Sequence, residues 1–473
     1  MQGRFDLAAL LAEHERDALE LQDRYINPAY AAVLKTIGFD AAYARGEGAY
    51  LFDTRGRRYI DCLGGYAVFN VGRNHPVVRD ALRQAMELDL PNLPGVGTFR
   101  TSGILAKKLV ELAPGRSLDT VFFANSGAEA MDAALKHARI ATGREAIIYC
   151  HRAYHGLTMG ALSINGNPEF RDGFGPLLQN TREIPFNDLG ALERALRARD
   201  AAAFVVEPIQ GKGVNIPHAD YLRRAKELCR AHGTLLVLDE IQTGIGRTGR
   251  MFAAEHFGAG RNPSDWEPDL LVIAKGLSGG YVPVSALLCP RSVHAKVFPS
   301  MNHCSKIQTT FGQNDLAMVA GLATLHVLEQ ERIVANAADV GAYLRDRLRE
   351  RLSRFAMVKD VRGVGLMIAI EFGRPESAAL RAGWDLLHKL DPSLFCQAVV
   401  MPLMADHRIL TQVAGHRLDV IKLIPPLVLS RQDADEIVEA FEKTVSACHS
   451  FPGPAWEVSK KLGAAALRRF APA

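Results

Sequence analysis

Two apolar runs in this chain stop abruptly at a charged residue and pass into glycines. Leu235-Leu-Val-Leu runs into Asp239-Glu-Ile-Gln-Thr-Gly-Ile-Gly-Arg-Thr-Gly249, and Leu270-Leu-Val-Ile-Ala runs into Lys275-Gly-Leu-Ser-Gly-Gly280. An unbroken aliphatic run is how a parallel strand buried on both faces reads, and in open α/β sheets the chemistry lies just beyond the carboxyl ends of such strands. Asp239 and Lys275 are therefore expected to face one crevice. A carboxylate and a solitary lysine delivered this way match the needs of pyridoxal 5′-phosphate, which takes an amine for a Schiff base and an anion to keep its ring nitrogen protonated. Burial would disfavour the charged form of Lys275 and lower its pKa, as a nucleophilic amine requires.

Three further strand ends converge on the same chemistry. Val121-Phe-Phe-Ala124 leads into Asn125-Ser-Gly-Ala-Glu-Ala130 and a helix expected from about Met131. Backbone N–H groups of Ser126, Gly127 and Ala128 at a helix start suit a phosphate, although simple capping is the other reading of a Ser-Gly pair. Ala146-Ile-Ile-Tyr-Cys150 leads into His151-Arg-Ala-Tyr154-His155-Gly156, where the Tyr154 ring could lie on the cofactor ring or serve as a core tyrosine, and His155 is counted among the cofactor residues. Ala203-Phe-Val-Val-Glu207-Pro208 places Glu207 where it could hold the following loop. Asp239 and Gln242 could reach the ring nitrogen and the phenolic oxygen together, with Glu240 in a structural role.

Asn125-Ser-Gly-Ala-Glu-Ala, Tyr154-His-Gly, Glu207-Pro-Ile-Gln-Gly, Leu238-Asp-Glu-Ile-Gln-Thr-Gly, Ala274-Lys-Gly-Leu and Thr309-Thr-Phe-Gly together resemble the class III aminotransferases, the ornithine, acetylornithine and putrescine group. The resemblance runs from about Gly46 to Val445. It implies an α/β fold of the PLP-dependent type I class, a homodimer with active sites at the subunit interface, and Thr310 reaching the cofactor phosphate of the partner subunit. It also implies ping-pong transamination between a small-molecule amine donor and a keto or aldehyde acceptor, with Lys275 as the group that holds the cofactor and moves the proton. An aminomutase or racemase on the same scaffold would share every cofactor residue, whereas intact Lys275 and Asp239 speak against a non-catalytic descendant.

The departures from that family bear on substrate. Where ornithine and acetylornithine enzymes carry a carboxylate-gripping arginine, Val420-Ile-Lys-Leu-Ile-Pro-Pro-Leu427 has Lys422, which lacks the bidentate fork. The acidic residue that commonly shields that arginine is here Lys212, and a second carboxylate-binding arginine is replaced by Leu157. The expected substrate is an ω-amine, diamine or long apolar amine without an α-carboxylate, with Tyr66 and Phe69 lining its pocket. The competing reading, an ornithine- or acetylornithine-type enzyme, lets Lys422, Lys212 or Arg417 bind a carboxylate singly.

The elements that must position these residues are legible in outline. The 473 residues are 48% apolar, enough for more than one core, and divide by pattern into an N-terminal helix and hairpin segment (1–74), a large α/β domain (75–330) and a smaller α+β domain (331–473). An amphipathic helix is expected over about Leu7 to Tyr25, packing on a partner surface, and two short strands over Ala49 to Asp61. A helix is expected near Leu316 to Leu328, strands over Val361 to Phe372 and Val420 to Leu429, and a helix after the N-cap Ser430; the stretch from Leu386 to Arg417 shows no clear pattern. The formal charge of +4 is dispersed apart from Lys460, Lys461, Arg468 and Arg469, so neither nucleic acid nor membrane is an expected partner, and a cytoplasmic protein is expected. Seven scattered cysteines without a CxxC pair indicate neither disulfides nor a zinc site, and Cys150, His151 and His155 are better used at a strand end than on a metal.

Overall fold

The computed structural model describes residues 5–15, 17–93, 97–262, 264–390, 394–414 and 418–449, so the basic residues at 460–469 and Arg417 lie outside the described residues. The strands are β1 (Tyr43–Glu47), β2 (Tyr50–Asp53), β3 (Arg58–Asp61), β4 (Thr120–Ala124), β5 (Ala146–Cys150), β6 (Thr181–Ile184), β7 (Ala201–Val206), β8 (Leu235–Asp239), β9 (Leu270–Ile273), β10 (Ser285–Cys289), β11 (Val358–Val364), β12 (Met367–Phe372), β13 (Ile409–Leu410), β14 (Gln412–Val413) and β15 (Val420–Leu423). Seven of them form the central sheet in the order β4-β10-β9-β8-β7-β5-β6, in which β10 alone runs antiparallel to its neighbours. This is the expected mainly parallel α/β architecture.

The apolar runs are buried on both faces because alternate residues point to different cores. Ile147, Tyr149, Val205 and Val237 pack with Ala130, Met131 and Ala134 of the helix Gly127–Thr142, while Ile148, Phe204, Val206 and Leu238 pack on the opposite side with Leu222 and Met318. Phe204 is fully buried, and truncating such a side chain to alanine costs about 3–5 kcal/mol. Since β4, β5, β7, β8 and β9 share one direction, Asn125, His151, Glu207, Glu240 and Ala274 all leave the sheet at the same edge.

A second sheet, β11-β12-β15-β14, is antiparallel throughout, and a third, β1-β2-β3-β13, joins the N-terminal strands to the C-terminal part of the chain through a parallel β3–β13 pair. Among the described residues no helix is long and apolar enough to cross a membrane.

Several local expectations change. The segment expected as one strand over Val361 to Phe372 is a hairpin that reverses at Gly365, whose φ of 56° favours glycine, and whose close approach to Thr248 leaves no room for a Cβ. The N-terminal helix is two short helices, Leu7–Glu13 and Ala18–Tyr25, with no buried residue in either; the polar run from His14 to Asp17 gives a continuous helix no face to bury. The helix expected from Met131 starts at Gly127, because Ser126 and Glu129 close a capping box. The strand expected over Val420 to Leu429 ends at Leu423, ahead of Pro425 and Pro426, which have no N–H to donate. Ser430 does cap its helix, Arg431–Cys448, with Asp433 completing a box. The unpatterned stretch from Leu386 contains the end of one helix (Ala378–Leu390), a second helix (Leu394–Ala405), and β13 and β14.

Candidate active site

A cavity of about 810 Å³ opens at the common edge of the central sheet, closed on its far side by β14 and β15. Among the residues assigned from sequence, Tyr66, Ser126, Gly127, Ala128, Tyr154, His155, Leu157, Lys212, Asp239, Gln242, Lys275 and Lys422 all line it. Phe69 and Thr310 do not. The Phe69 ring stacks under the Arg73 guanidinium at 4.0 Å and fills the space left by the missing side chain of Gly280, one layer behind the wall. This corrects its assignment as a lining residue. Thr310 is exposed on the surface of this chain.

Asp239 ends β8 buried, and its Oδ2 lies 2.6 Å from His155 Nδ1 while its Oδ1 accepts from the Ile241 N–H at 3.0 Å. Burial works against a charged imidazole, but the hydrogen bond and charge of Asp239 outweigh it and hold the His155 pKa above its ordinary value. The other ring nitrogen, Nε2, is buried without a partner. Lys275 follows β9 with φ at 42°, a left-handed conformation that is costly for a lysine and that aims its side chain into the cavity. Burial lowers its pKa, against the raising influence of Asp239 and Glu207. Among the described residues its amine makes no hydrogen bond, which leaves it free to act as a nucleophile facing a buried carboxylate.

Glu207, at the end of β7, accepts from the Gly211 N–H at 2.8 Å and the Tyr154 N–H at 3.2 Å, so it ties the β5 and β7 loops together. Its burial pushes the carboxyl up to about 7. Glu240 behaves similarly, also pushed up to about 7 by burial, while accepting from Thr243 Oγ1 and the N–H groups of Ala253 and Ala254. Both follow the structural roles expected of them.

The helix start at Ser126 is more selective than its sequence suggests. Glu129 Oε2 accepts from the N–H groups of Asn125 and Ser126, and Ser126 Oγ accepts from Glu129 N–H. Among the described residues the N–H groups of Gly127 and Ala128 have no acceptor, at the positive end of a sixteen-residue helix. Gly156, at φ 125°, presses against Ala128, where any side chain would collide with that turn. An anion at this corner would thus be held by two N–H groups instead of three.

The substrate side differs most from expectation. Lys422, buried on β15, donates to the Gly211 carbonyl at 2.9 Å and to Gln242 Oε1 at 3.2 Å, and Gln242 Nε2 donates to the Tyr66 carbonyl at 3.3 Å. Burial, and then repulsion from Lys275, lowers the Lys422 pKa to about 7. Lys212 is ion-paired with Glu169 and sits over the Phe170 ring. Tyr154 meets Phe170 edge-on at 5.4 Å, which fixes its ring plane. Phe170, Gln412 and Val413 line the cavity without any sequence signal, since they arrive from a four-residue helix (Pro168–Arg171) and a two-residue strand. Arg247, also unassigned from sequence, is fully buried and donates to Asn70 Oδ1 and to the carbonyls of Leu366 and Pro425, joining the loop after β8 to the smaller lobe.

These features fit a phosphorylated aromatic aldehyde such as pyridoxal 5′-phosphate: a free amine, a buried carboxylate, an unoccupied pair of helix N–H groups and a fixed tyrosine ring in one cavity. Comparison with known proteins agrees. The family model for aminotransferase class-III matches residues 32–445. The aminotransferase PigE of a Serratia species is 34% identical over 467 residues, covering 92% of this chain, which spans only 54% of that protein's length. The acetylornithine aminotransferase of Methanosarcina mazei is 36% identical over 402 residues, covering 85% of this chain and 90% of that one. The crystal structure of ornithine aminotransferase from Toxoplasma gondii superposes with a TM-score of 0.80 at 32% identity, covering 94% of this chain and 99% of that one.

Proposed function

The chain belongs to the class III aminotransferases, a pyridoxal-phosphate-dependent family, and within it we propose that this protein takes its amino group from an ω-amine, diamine or long apolar amine whose reacting carbon bears no carboxylate. The observation that carries this reading is the engagement of both replacement cations. Lys422 is hydrogen-bonded to Gly211 and Gln242, and Lys212 is paired with Glu169. Around them stand apolar side chains, among them Leu157, Phe170, Val282 and Val413.

When bound, the cofactor supplies an electron sink that acidifies the carbon carrying the amino group. Lys275, whose pKa burial lowers, would hold it through its amine and would carry and return the proton at the reacting carbon. Asp239, hydrogen-bonded to His155, would face the ring nitrogen. Gly127 and Ala128 would bind the phosphate, Tyr154 would lie against the ring, and Gln242 would reach the phenolic oxygen while keeping Lys422 in place. Thr310 serves the second copy of a homodimer, which is consistent with its exposure here. The carbonyl product leaves before a keto or aldehyde acceptor enters the same cavity.

A second reading, an ornithine- or acetylornithine-type enzyme, is favoured by the names of the relatives above and has Lys422 turn from Gln242 to a substrate carboxylate. Titration of the holoenzyme with single donors, without acceptor, separates the two. Diamines or alkylamines that discharge the absorption of the lysine-bound cofactor while ornithine does not are the expected outcome. Discharge by ornithine or glutamate alone refutes it.

A further inference from the structure

At the opposite end of β10 from the active site, a potential metal ligand from a distant helix meets two others that stand five residues apart in sequence. Ser285, at the start of the strand, donates to the Ser126 carbonyl beside the cavity. Cys289, at its end, pairs with Thr120, roughly 13 Å further along at the usual rise per residue. There Cys289, His137 of the helix Gly127–Thr142 and His294 of the helix Arg291–Val297 bring one ligand atom each to within 4.8 Å of one another.

The arrangement of protons favours coordination. His137 is fully buried, and its Nδ1 lies 2.8 Å from the Ala133 carbonyl, to which only a protonated nitrogen can donate. That contact fixes the tautomer, and Nε2 is left with a lone pair and no partner among the described residues. A backbone carbonyl on the far nitrogen is the usual support of a metal-bound histidine. His294 Nδ1 is likewise buried without a partner. Burial lowers the pKa of both imidazoles, His137 to about 4, and raises that of the Cys289 thiol, which a bound cation would bring down again. Phe298 packs against both rings and Phe122 against His137, giving an apolar surround. Lys296 donates to the Ala141 carbonyl, so the two helices are already held in register.

We propose that His137, Cys289 and His294 form a zinc site. Two imidazoles and a thiolate are a soft-to-borderline set suited to a tetrahedral d¹⁰ ion, and three protein ligands leave the fourth position to solvent, which can reach the partly exposed His294. Bond lengths of about 2.0–2.3 Å require the ligand atoms to draw in by about 1 Å. On binding, the Cys289 thiol gives its proton to solvent and its sulfur becomes the anionic ligand. The ion would clamp the back of the same helix whose first turn faces the cavity. The cysteines taken alone gave no hint of this, because His137 joins the nearby pair Cys289 and His294 only through helix packing.

The test uses metal-stripped holoenzyme offered zinc alone, with cobalt(II) as the spectroscopic probe. The expected result is one ion retained per chain after gel filtration, and, with cobalt, a thiolate-to-metal charge-transfer band with intense ligand-field bands of tetrahedral type. Cys289→Ala should abolish the charge-transfer band and His294→Gln should weaken binding at least tenfold, while Cys304→Ser, at the exposed thiol, should change neither. Failure to retain metal, or a thiolate band that survives Cys289→Ala or vanishes in Cys304→Ser, overturns the proposal. If Cys289→Ala does not fold, the cobalt spectrum of Cys304→Ser decides alone: a thiolate band supports the site and its absence refutes it.

Discussion

Replacing Lys422 puts a number on the substrate reading. In the resting site its two hydrogen bonds go to uncharged acceptors, Gly211 O and Gln242 Oε1, each worth roughly 0.5–1.5 kcal/mol, against roughly 1.5–3 kcal/mol for one bond to a carboxylate. Turning to a substrate carboxylate therefore changes the free energy by between about −2 and +1.5 kcal/mol, so the native lysine improves an amino-acid donor by at most about 30-fold in kcat/KM. With its pKa lowered to about 7, the ammonium is roughly half-charged at pH 7, and its charged fraction falls about tenfold per unit at higher pH. Lys422→Arg restores a permanent charge and a bidentate fork. It should raise the efficiency of ornithine relative to putrescine by about 30-fold or more, without the pH dependence. Lys422→Met should leave that ratio within about threefold of the native value. The assay is stopped-flow loss of the lysine-bound cofactor absorption, with matched donors at pH 7 and 8.5. A native enzyme that prefers ornithine, loses that preference tenfold per pH unit above 7, and loses it altogether in Lys422→Met would refute the reasoning.

Other perturbations address the cofactor pocket and the scaffold. His155→Ala leaves the buried Asp239 carboxylate without its partner, a loss of about 3–5 kcal/mol in comparable pairs, and should weaken cofactor binding about 10- to 100-fold in equilibrium dialysis; unchanged affinity would remove His155 from the site. Arg247→Met strands the Asn70, Leu366 and Pro425 acceptors and should lower stability to urea by about 3 kcal/mol or more, whereas an unchanged midpoint would show that water replaces the guanidinium. For Glu240, with a folded pKa raised to about 7, the folded state holds a proton that the unfolded chain gives up above its ordinary carboxylate range. Its contribution is therefore present at low pH and is lost as pH rises towards 7, at up to about 1.4 kcal/mol per unit. Glu240→Gln should flatten the stability–pH profile between pH 4.5 and 7, and a profile identical to the native one would contradict the shift.

What the sequence made legible was set by strong local grammar. The fully apolar runs of β5, β7, β8 and β9 are buried on both faces and cannot be mistaken for amphipathic helices, so the edge carrying Glu207, Asp239 and Lys275 followed directly. Helix Leu394–Ala405 was not legible because burial on nearly every side erases its period and Pro402 interrupts it. Tyr66 and Lys422 were named as pocket residues, but nothing in their spacing told that Gln242 would bridge them. Such bonds depend on how lobes meet, and one-dimensional pattern carries no record of that. The same holds for Phe170 on Tyr154 and for His137 beside Cys289.

The cavity is walled by two sheets that share no strand: β4 to β10 deliver Lys275, Asp239 and the helix start, while β14 and β15 deliver Gln412, Val413 and Lys422. Amine chemistry is thereby written on the large sheet and part of donor choice on the small one, joined across the cavity by the hydrogen bonds from Lys422 to Gly211 and Gln242. A change on β14 or at Lys422 can alter which amines are accepted while the lysine, carboxylate and imidazole stay in place. For anyone wishing to retrain this enzyme, the small sheet is the dial and the large sheet the engine, and the contacts of Gln242 mark where turning one begins to disturb the other.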